Sequence, residues 1–456
     1  MRSYKNHCIV LLLFSICFTT LLCYSKIDSL NNEYASNCSK LDSTLVNADG
    51  TELKLLFAKK QNKYIISKHY VTSDTIIVPD NTTLLFDGGS IQAPIVFNKT
   101  KLEGAVLLHG SSLGGTISNS FFDASWICLA DGKSDDSHSI MEILKVSNKI
   151  IFPSGLYYLK SISLPNNDIP SDLKQVVSGH ILVNKSEVSF EGQKGAKFIT
   201  EKPTNIICVY TKPNDIDNSI SDININGLEF IVKNNKRFFS EHTHSVKLVG
   251  ANNVTISNCT FNDFWGDAIC LSHYGDTPSS GERTRNTGIL IKGNRITGGS
   301  HNNRNGISVI NGKDVYIIDN DISDLSKEGM PGGIDLEANN NAYTVDNINI
   351  IGNQISNITG SGICIVSEVD APAHNVTIER NHISKCSAFG LLFKIGSLDC
   401  VSNVRICDNA IDNGNRYYTF IGEGSTSDWS ILNNNFNKEL NKQITNKVKI
   451  KNLKID

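Results

Sequence analysis

Proline, methionine and tryptophan are scarce in this chain of 456 residues, with 10, 3 and 3 copies, whereas Asn, Ile, Ser and Gly are abundant. This bias favours strands and tight turns over helices. A formal charge of −3, with 20% charged residues, shows no basic excess, so nothing indicates a nucleic-acid-binding protein. The hydrophobic content of 40% is sufficient for a large core.

Long apolar runs are missing after the N-terminus, where no segment approaches the roughly 18 residues that a membrane span needs. The chain begins MRSYKNHCIVLLLFSICFTTLLCYSK, with Arg2 and Lys5 ahead of an apolar run. This pattern predicts a Sec signal peptide and a secreted, periplasmic or cell-surface protein. A lipoprotein anchor at Cys23 is the alternative, which Leu22 disfavours because it is a poor residue before a lipidated cysteine.

The usual cysteine motifs of metal sites are also missing. Nine of the 12 cysteines follow the signal peptide: Cys38, Cys128, Cys208, Cys259, Cys270, Cys364, Cys386, Cys400 and Cys407. No CxxC and no ligand-like spacing with histidine occurs, so no structural zinc is predicted. An odd count leaves at least one thiol unpaired or bonded to another chain, and we expect most to be small buried hydrophobes. The pairing itself stays open.

A repeat occupies the C-terminal half of the chain. The pattern apolar-x-apolar-x-x-Asn-x-apolar recurs six times, with its asparagines at Asn294, Asn320, Asn353, Asn381, Asn409 and Asn434. An earlier copy, VTISNCTF, has Cys259 in the Asn position, and a poorer copy has Leu228 there. Between the copies lies a second strand-like segment, such as GGIDLEAN from Gly332. Both segments alternate with period 2, which predicts a parallel β-solenoid with asparagines hydrogen-bonded along one tight bend, where they tolerate αL backbone.

This pattern resembles the right-handed parallel β-helix of the pectin-lyase-like superfamily, whose coils carry an Asn ladder at one sharp turn. A second stretch, Leu129 to Leu164, resembles the opening of pectate-lyase-related and tailspike-like chains. There Asp136 suits the N-cap of a helix that covers the open end of the solenoid, and we prefer this capping role to a catalytic pair of Asp135 and Asp136. The predicted fold is all-β: a right-handed single-stranded parallel β-helix with an N-terminal capping helix and a β-rich N-terminal segment.

The resemblance covers most of the mature chain. After the predicted signal peptide over 1–25, it implies a β-rich segment over 26–125, the β-helix over 126–440 and a C-terminal tail over 441–456. It is specific for the fold and weak for the reaction, because the superfamily hosts hydrolases, lyases, esterases and epimerases.

The segment GGIDLEAN carries the best catalytic candidates. By the resemblance it lies on the first sheet, whose outer face commonly forms the substrate groove. Alternation turns Ile334 and Leu336 into the core and Asp335 and Glu337 outward. Cα atoms about 6.5–7 Å apart allow the carboxylate spacing of either a retaining or an inverting glycosidase. Like charges this close would raise one pKa and place an acid beside a base, whereas the alternative is a pair of solvated carboxylates.

Further candidates flank this strand. Asp267, in WGDAI, resembles the GD-[GA]-I element of β-helix glycosidases and is the third predicted catalytic residue, although an aspartate there can also be a turn former. The predicted substrate-binding residues are His273, Tyr274, Arg304, Glu368 and Lys394. Solvated surface side chains are the alternative interpretation for each of them.

Three functions remain open. The first is a secreted glycoside hydrolase that acts on a polysaccharide or oligosaccharide, without metal or other cofactor. The second is a polysaccharide lyase for uronic-acid polymers, with Lys394, Arg304 or His273 as base and Ca²⁺ held by carboxylates such as Glu368. The third is a non-catalytic glycan-binding surface protein. We expect no nucleic-acid partner, and no integral membrane segment once the signal is removed.

Overall fold

A computed structural model describes residues 50–165, 177–212, 219–233, 240–273, 282, 284–299, 303–327, 332–367, 371–396, 398–413, 416–422, 425–436 and 448–455. The predicted signal peptide lies outside these described residues. No helix within them has both the length and the apolar character that a membrane crossing requires.

Three long sheets of parallel strands run the length of the molecule. The twelve-stranded sheet contains β8 (Phe122–Asp123), β10 (Lys149–Phe152), β13 (Ser189–Gly192), β16 (Ile220–Asn226), β19 (Ala251–Ser257), β22 (Asn286–Lys292), β25 (Gly312–Ile318), β28 (Val345–Ile351), β31 (Ala373–Glu379), β34 (Leu398–Cys407), β37 (Ser425–Leu432) and β39 (Lys449–Ile455). The eleven-stranded sheet contains β9 (Asp131–Asp135), β11 (Gly155–Leu159), β14 (Ala196–Thr200), β17 (Glu229–Val232), β20 (Thr260–Asn262), β23 (Arg295–Thr297), β26 (Asp321–Leu325), β29 (Gln354–Ile358), β32 (His382–Cys386), β35 (Ala410–Asp412) and β38 (Asn435–Phe436). The nine-stranded sheet contains β12 (Gly179–Val183), β15 (Asn205–Tyr210), β18 (Val246–Val249), β21 (Ile269–Ser272), β24 (Ile307–Val309), β27 (Gly332–Ala338), β30 (Ser361–Ser367), β33 (Leu391–Ile395) and β36 (Tyr418–Gly422).

Each coil adds one strand to each sheet in turn. From β19 onward the chain passes through the twelve-, eleven- and nine-stranded sheets and then begins the next coil. Ile269, Ile307, Ile334, Ile363 and Leu391 stack in register and are buried in one continuous core. The predicted all-β parallel β-helix and the predicted inward positions are therefore confirmed.

The N-terminal segment is also built from parallel strands. These are β1 (Lys63–Ile66), β2 (His69–Val71), β3 (Ile76–Ile77), β4 (Thr83–Phe86), β5 (Ser90–Gln92), β6 (Pro94–Gly104) and β7 (Ser112–Ile117). They are preceded by helix α1 (Gly50–Phe57), which packs on β2 and β3. The same hydrophobic core runs from Leu53 to Val448, so this segment extends the stack of coils.

The asparagine ladder lies at the turn between the twelve- and eleven-stranded sheets. The backbone N–H of each ladder residue donates to the Oδ1 of the asparagine one coil on, at 2.9–3.0 Å, from Cys259 through to Asn434. The predicted ladder is present, with Cys259 at its first step. The left-handed backbone falls instead on the residue immediately before each ladder position, for example Gly293 (φ 65°) and Asp319 (φ 54°). The ladder asparagine is thus spared the unusual conformation and uses its side chain to close the turn.

Helix α2 (Ser137–Val146) is the predicted capping helix. It packs on β12, the first strand of the nine-stranded sheet, and on β7, and its apolar face is buried in the common core, which the N-terminal strands continue. Asp136 is the N-cap residue, as predicted, but its side chain makes no capping hydrogen bond; its carboxylate accepts from the N–H groups of Leu129 and Ala130. Asp135 accepts from the N–H of Ser137, the first residue of the helix. Both aspartates are therefore structural.

Part of the predicted C-terminal tail is regular structure. β39 (Lys449–Ile455) pairs in parallel with β37 and ends the twelve-stranded sheet. Three lysines along β39, Lys449, Lys451 and Lys454, suit an edge strand because charged side chains discourage pairing with another chain.

Eight of the nine predicted mature cysteines are in the described residues, and all eight are buried and form no disulfide there. Cys38 lies outside the described residues. The interpretation of these cysteines as small buried hydrophobes is confirmed for the eight.

Candidate active site

Asp335 and Glu337 lie on the outer face of the nine-stranded sheet, as predicted. Register stacks Asp335 between Ser308 and Cys364 of the neighbouring coils, while Glu337 stacks on Val366. A parallel sheet holds such neighbours about 4.8 Å apart, so one coil's side chains are set directly against those of the next.

The pair is not solvated, however. Asp335 is fully buried, and the side chain of Glu337 is only 19% exposed. Cys270 and Ile310, also on the outer face, are covered by Ala342 and Tyr343 from the chain that follows β27. The alternative of two solvated carboxylates is therefore wrong at Asp335, because the outer face is covered here, and Glu337 is the more accessible of the two acids.

Arg304 joins the acids into one cluster. Its backbone N–H donates to the carbonyl of Gly266 at 2.7 Å, which sets it beside Asp267. Its Nη2 lies 2.9 Å from Glu337 Oε2 and its Nε lies 3.8 Å from Asp267 Oδ1. The side chain is 10% exposed, so the interpretation of Arg304 as a solvated cation is wrong. It is committed to the protein's own carboxylates.

Burial sets the protonation of this cluster. It raises the pKa of Asp335 well above its usual range, and Glu337 raises it further by its charge and by accepting a hydrogen bond, against the opposing effect of Arg304. Burial likewise raises the pKa of Asp267 to about 6, although Arg304 and hydrogen bonds from Ser308 and Asn305 act in the opposite direction. Two carboxyl groups in a dry site therefore retain protons at a pH where exposed carboxylates have lost theirs.

Asp335 and Glu337 are in direct contact, which sequence could not decide. Protonated Asp335 donates a hydrogen bond to Glu337, which is one of the causes that raise the pKa of Asp335. Asp335 Oδ2 also accepts from Asn305 Nδ2 at 3.3 Å, while Oδ1 is otherwise without a partner. Carboxyl groups in hydrogen-bond contact leave no room between them for water or a sugar, unlike the separated pairs of glycosidases.

A second ladder fixes the turn that enters the nine-stranded sheet. His244 N–H donates to Asn205 Oδ1 at 2.9 Å, and Asp267 N–H to His244 Nδ1 at 3.4 Å. Asn305 N–H then donates to Asp267 Oδ1 at 3.2 Å, and Gly332 N–H to Asn305 Oδ1 at 2.9 Å. Asp267 is thus a turn former as well as a member of the acid cluster. Sequence reasoning missed His244 and Asn205.

The other predicted substrate-binding residues are dispersed. His273 packs its ring on Tyr343, with centroids 3.9 Å apart, two coils before Glu337. Lys394 is exposed and lies in the outward column of Glu337, two coils after it. Tyr274 and Glu368 lie outside the described residues.

A cavity of about 530 Å³ lies on the same outer face but away from the acids. It is lined by α2 residues such as Glu142 and by Asn184 and Tyr210. Tyr210 shares the outward column of Glu337 at a distance of four coils, on the order of 19 Å. The cavity is therefore separate from the acid cluster.

Two groups of side chains among the described residues could hold a metal. One contains His244, Asp267 and Cys270, which are all buried. The other is Glu379, Cys407 and Asp408, where Glu379 pairs with Arg380 and Cys407 accepts from Arg405, so cations already occupy that group.

The similarity of the chain to known proteins lies in its fold. Residues 204–446, just over half of the chain, match the family model described as right handed beta helix region. A comparison with curated proteins finds no match. Among solved structures, the A-module of the mannuronan C-5 epimerase AlgE6 of Azotobacter vinelandii is 14% identical, with a TM-score of 0.39 over 74% of this chain and 99% of that one.

Two further structures show the same level of likeness. The surface adhesin PfbA of Streptococcus pneumoniae is 12% identical, with a TM-score of 0.40 over 74% of this chain and 100% of that one. The tailspike protein of Escherichia coli bacteriophage HK620, in complex with a pentasaccharide, is 13% identical, with a TM-score of 0.48 over 73% and 65%. Identities this low relate folds and not activities.

Proposed function

The chain belongs to the right-handed β-helix family, and we propose that it is a secreted carbohydrate-active enzyme, a glycoside hydrolase that acts on a polysaccharide. One observation carries the proposal: buried Asp335, whose pKa is raised well above its usual range, lies beside Glu337, which is partly exposed and paired with Arg304. A proton held near neutral pH beside an accessible carboxylate is what general acid catalysis requires.

Glu337 is the proposed catalytic residue, because it is the member of the cluster that can meet a substrate. It would protonate the glycosidic oxygen, and Asp335, as a positioning residue, would hold the proton that Glu337 delivers.

A hydrolase also needs a carboxylate to activate water or attack the anomeric carbon. Asp267 is the proposed group, because Arg304 lies between it and Glu337. This role requires water to enter beside Arg304.

A lyase is the second candidate, and the contact between Asp335 and Glu337 favours it. Removal of the C5 proton from a uronate needs one base and a nearby positive charge, and Glu337 beside Arg304 offers both in one place. The guanidinium of Arg304 already lies in the acid cluster. It would therefore supply the positive charge that the sequence-based lyase hypothesis assigned to Ca²⁺. No metal is proposed for the hydrolase.

The test is a panel of neutral and acidic polysaccharides, assayed for new reducing ends and for ultraviolet-absorbing unsaturated sugars. The proposal expects reducing ends without ultraviolet absorbance, and absorbing products would replace it by the lyase. Glu337→Gln should lower kcat by roughly 10²–10⁴-fold with a smaller change in KM. Glu229→Gln is the matched control, because Glu229 is a surface acid paired with Lys197 on another sheet.

Two outcomes contradict the proposal. Full turnover by Glu337→Gln would exclude Glu337 as the catalytic residue. Glycan binding without any product would support the hypothesis of a non-catalytic surface protein. Export is tested separately: the proposal expects the chain outside the cytoplasm and shortened by about 25 residues.

A further inference from the structure

His244, Asp267 and Cys270 meet at the junction of two coils. Each offers one ligand atom, and these atoms lie within 4.8 Å of one another. All three side chains are almost completely buried. His244 comes from the coil before Asp267 and Cys270, so their spacing along the chain resembles no metal-binding motif, and only the stacking of coils brings them together.

Asp267 directs an unpaired oxygen into this group. Its Oδ1 accepts from Asn305 N–H, but Oδ2 is buried without a hydrogen-bond partner, 3.4 Å from His244 Nδ1. A buried carboxylate oxygen without a partner is costly. Two ligands about 2.0–2.1 Å from a tetrahedral zinc ion lie about 3.4 Å apart, so the observed distance fits a shared cation.

We propose that His244, Asp267 and Cys270 bind a thiophilic divalent cation, with Zn²⁺ as the ion that best fits one nitrogen, one oxygen and one sulfur ligand. The sulfur ligand argues against Ca²⁺ and Mg²⁺, which prefer oxygen. Binding requires Cys270 to release its proton to solvent as the thiolate–metal bond forms.

Of the two neighbouring cations, Arg304 is compatible with a bound metal ion, whereas Lys247 disfavours it by charge repulsion. Arg304 faces Oδ1 of Asp267, which leaves Oδ2 for the metal, so the carboxylate can serve one cation with each oxygen. Lys247, buried one coil from Cys270, adds a second positive charge. The Asp267 carboxylate and the Cys270 thiolate together offset the two charges of the ion.

The inference shares Asp267 with the proposed function, where this residue is the second carboxylate, but it does not depend on Glu337 or Asp335. A bound ion would tie the side chains of His244 and Asp267 together across two coils. It would take the Nδ1 lone pair that accepts from Asp267 N–H at 3.4 Å, the longest hydrogen bond of the second ladder.

The test uses the full chain, stripped with a chelator and titrated with Zn²⁺ or Co²⁺ alone. We expect about one equivalent of ion, a higher Tm with zinc, and with cobalt the near-ultraviolet thiolate charge-transfer band of a Co–S bond. Cys270→Ser should abolish that band and weaken zinc binding by more than about tenfold. Cys364→Ser, a buried thiol in the same outward column, should leave both unchanged.

The variant His244→Asn removes one ligand and should still fold, so it separates a loss of zinc binding from misfolding. Asparagine already occupies this ladder position at Asn205 and Asn305, so the variant should fold with the hydrogen bond to Asp267 N–H retained while a ligand is lost. Weakened zinc binding by folded His244→Asn supports the site. No ion bound by the parent chain, or unchanged binding in both His244→Asn and Cys270→Ser, would overturn it. Glycan cleavage is assayed separately with Glu337→Gln, whose parent residue is not a ligand, so failure of the zinc site and failure of the proposed function are distinguishable.

Discussion

At the scale of single residues, the neighbouring carboxylates Asp335 and Glu337 have become different chemical groups through burial. Asp335 is fully enclosed and keeps its proton, whereas Glu337 reaches the surface beside Arg304. Like charges in contact cannot both ionise at low cost in a dry site, so Asp335 keeps its proton at a pH where exposed carboxylates have lost theirs.

Asp335→Asn should therefore change the pH profile of the proposed activity. The variant lacks the buried carboxyl group whose pKa is raised, while Glu337 keeps its pairing with Arg304. We expect the alkaline limb of kcat/KM to shift by about one pH unit or more. The pH profile of the variant against the parent measures this, and an unmoved limb would exclude a role of the Asp335 proton in the reaction.

Asp136 allows a separate test of burial at a structural residue. Burial raises its pKa to about 6, although the N–H groups of Leu129 and Ala130 act against this. The folded state thus binds the proton more tightly than the unfolded state, so this residue's contribution is present below about pH 4 and is lost as pH rises through 6.

Asp136→Asn should accordingly gain stability relative to the parent as pH rises. Between pH 4 and pH 8 the difference in unfolding free energy should move by about 2–3 kcal/mol in favour of the variant. Denaturant unfolding at both pH values measures this. A constant difference would show that Asp136 has an ordinary pKa.

At the scale of elements, the two ladders determine the path of each coil. In the first ladder, Asn353 accepts from Asn320 N–H at 2.9 Å and donates to Ile317 O and to Asn381 Oδ1, each at 2.9 Å. Deleting its side chain leaves buried groups without partners on both adjacent coils.

Asn353→Ala should lower the unfolding free energy by about 2–4 kcal/mol, since several buried hydrogen bonds are lost at once. Asn349→Ala is the control, because Asn349 is a half-buried strand residue outside the ladder and its loss should cost less than about 0.5 kcal/mol. Chemical denaturation of both variants decides this. Equal effects would mean that the ladder adds nothing beyond its strands.

These elements also show what could be predicted from the sequence. Alternation in GGIDLEAN correctly put Ile334 in the core and Asp335 outside it, because period 2 is a local property of a strand. The burial of Asp335 and its contact with Glu337 could not be predicted, because both depend on neighbouring coils. The role of His244 could have been predicted. Like Asn205, it has a hydrogen-bond-accepting side chain two residues before an inward position of the nine-stranded sheet.

At the scale of the whole molecule, one core runs from Leu53 to Val448 through stacked parallel strands. Cysteines pack in this interior as buried side chains, and the eight described ones form no disulfide. The fold therefore gains its stability from burial and ladders, and within the described residues no disulfide contributes.

A phosphine reductant that binds no metal should accordingly leave the Tm of the folded protein unchanged within about 1 °C, because there is no described cross-link to remove. Thermal unfolding with and without the reductant measures this. A fall of several degrees would show that thiols of the core are paired in the folded protein.

The central claim is that Asp335 is protonated next to Glu337 in the folded protein. Infrared difference spectroscopy of the full chain near neutral pH measures it directly, through the carbonyl stretch of a protonated carboxyl group. We predict such a band in the parent and in Glu229→Gln, and its loss in Asp335→Asn. Identical spectra for the parent and Asp335→Asn would contradict the account.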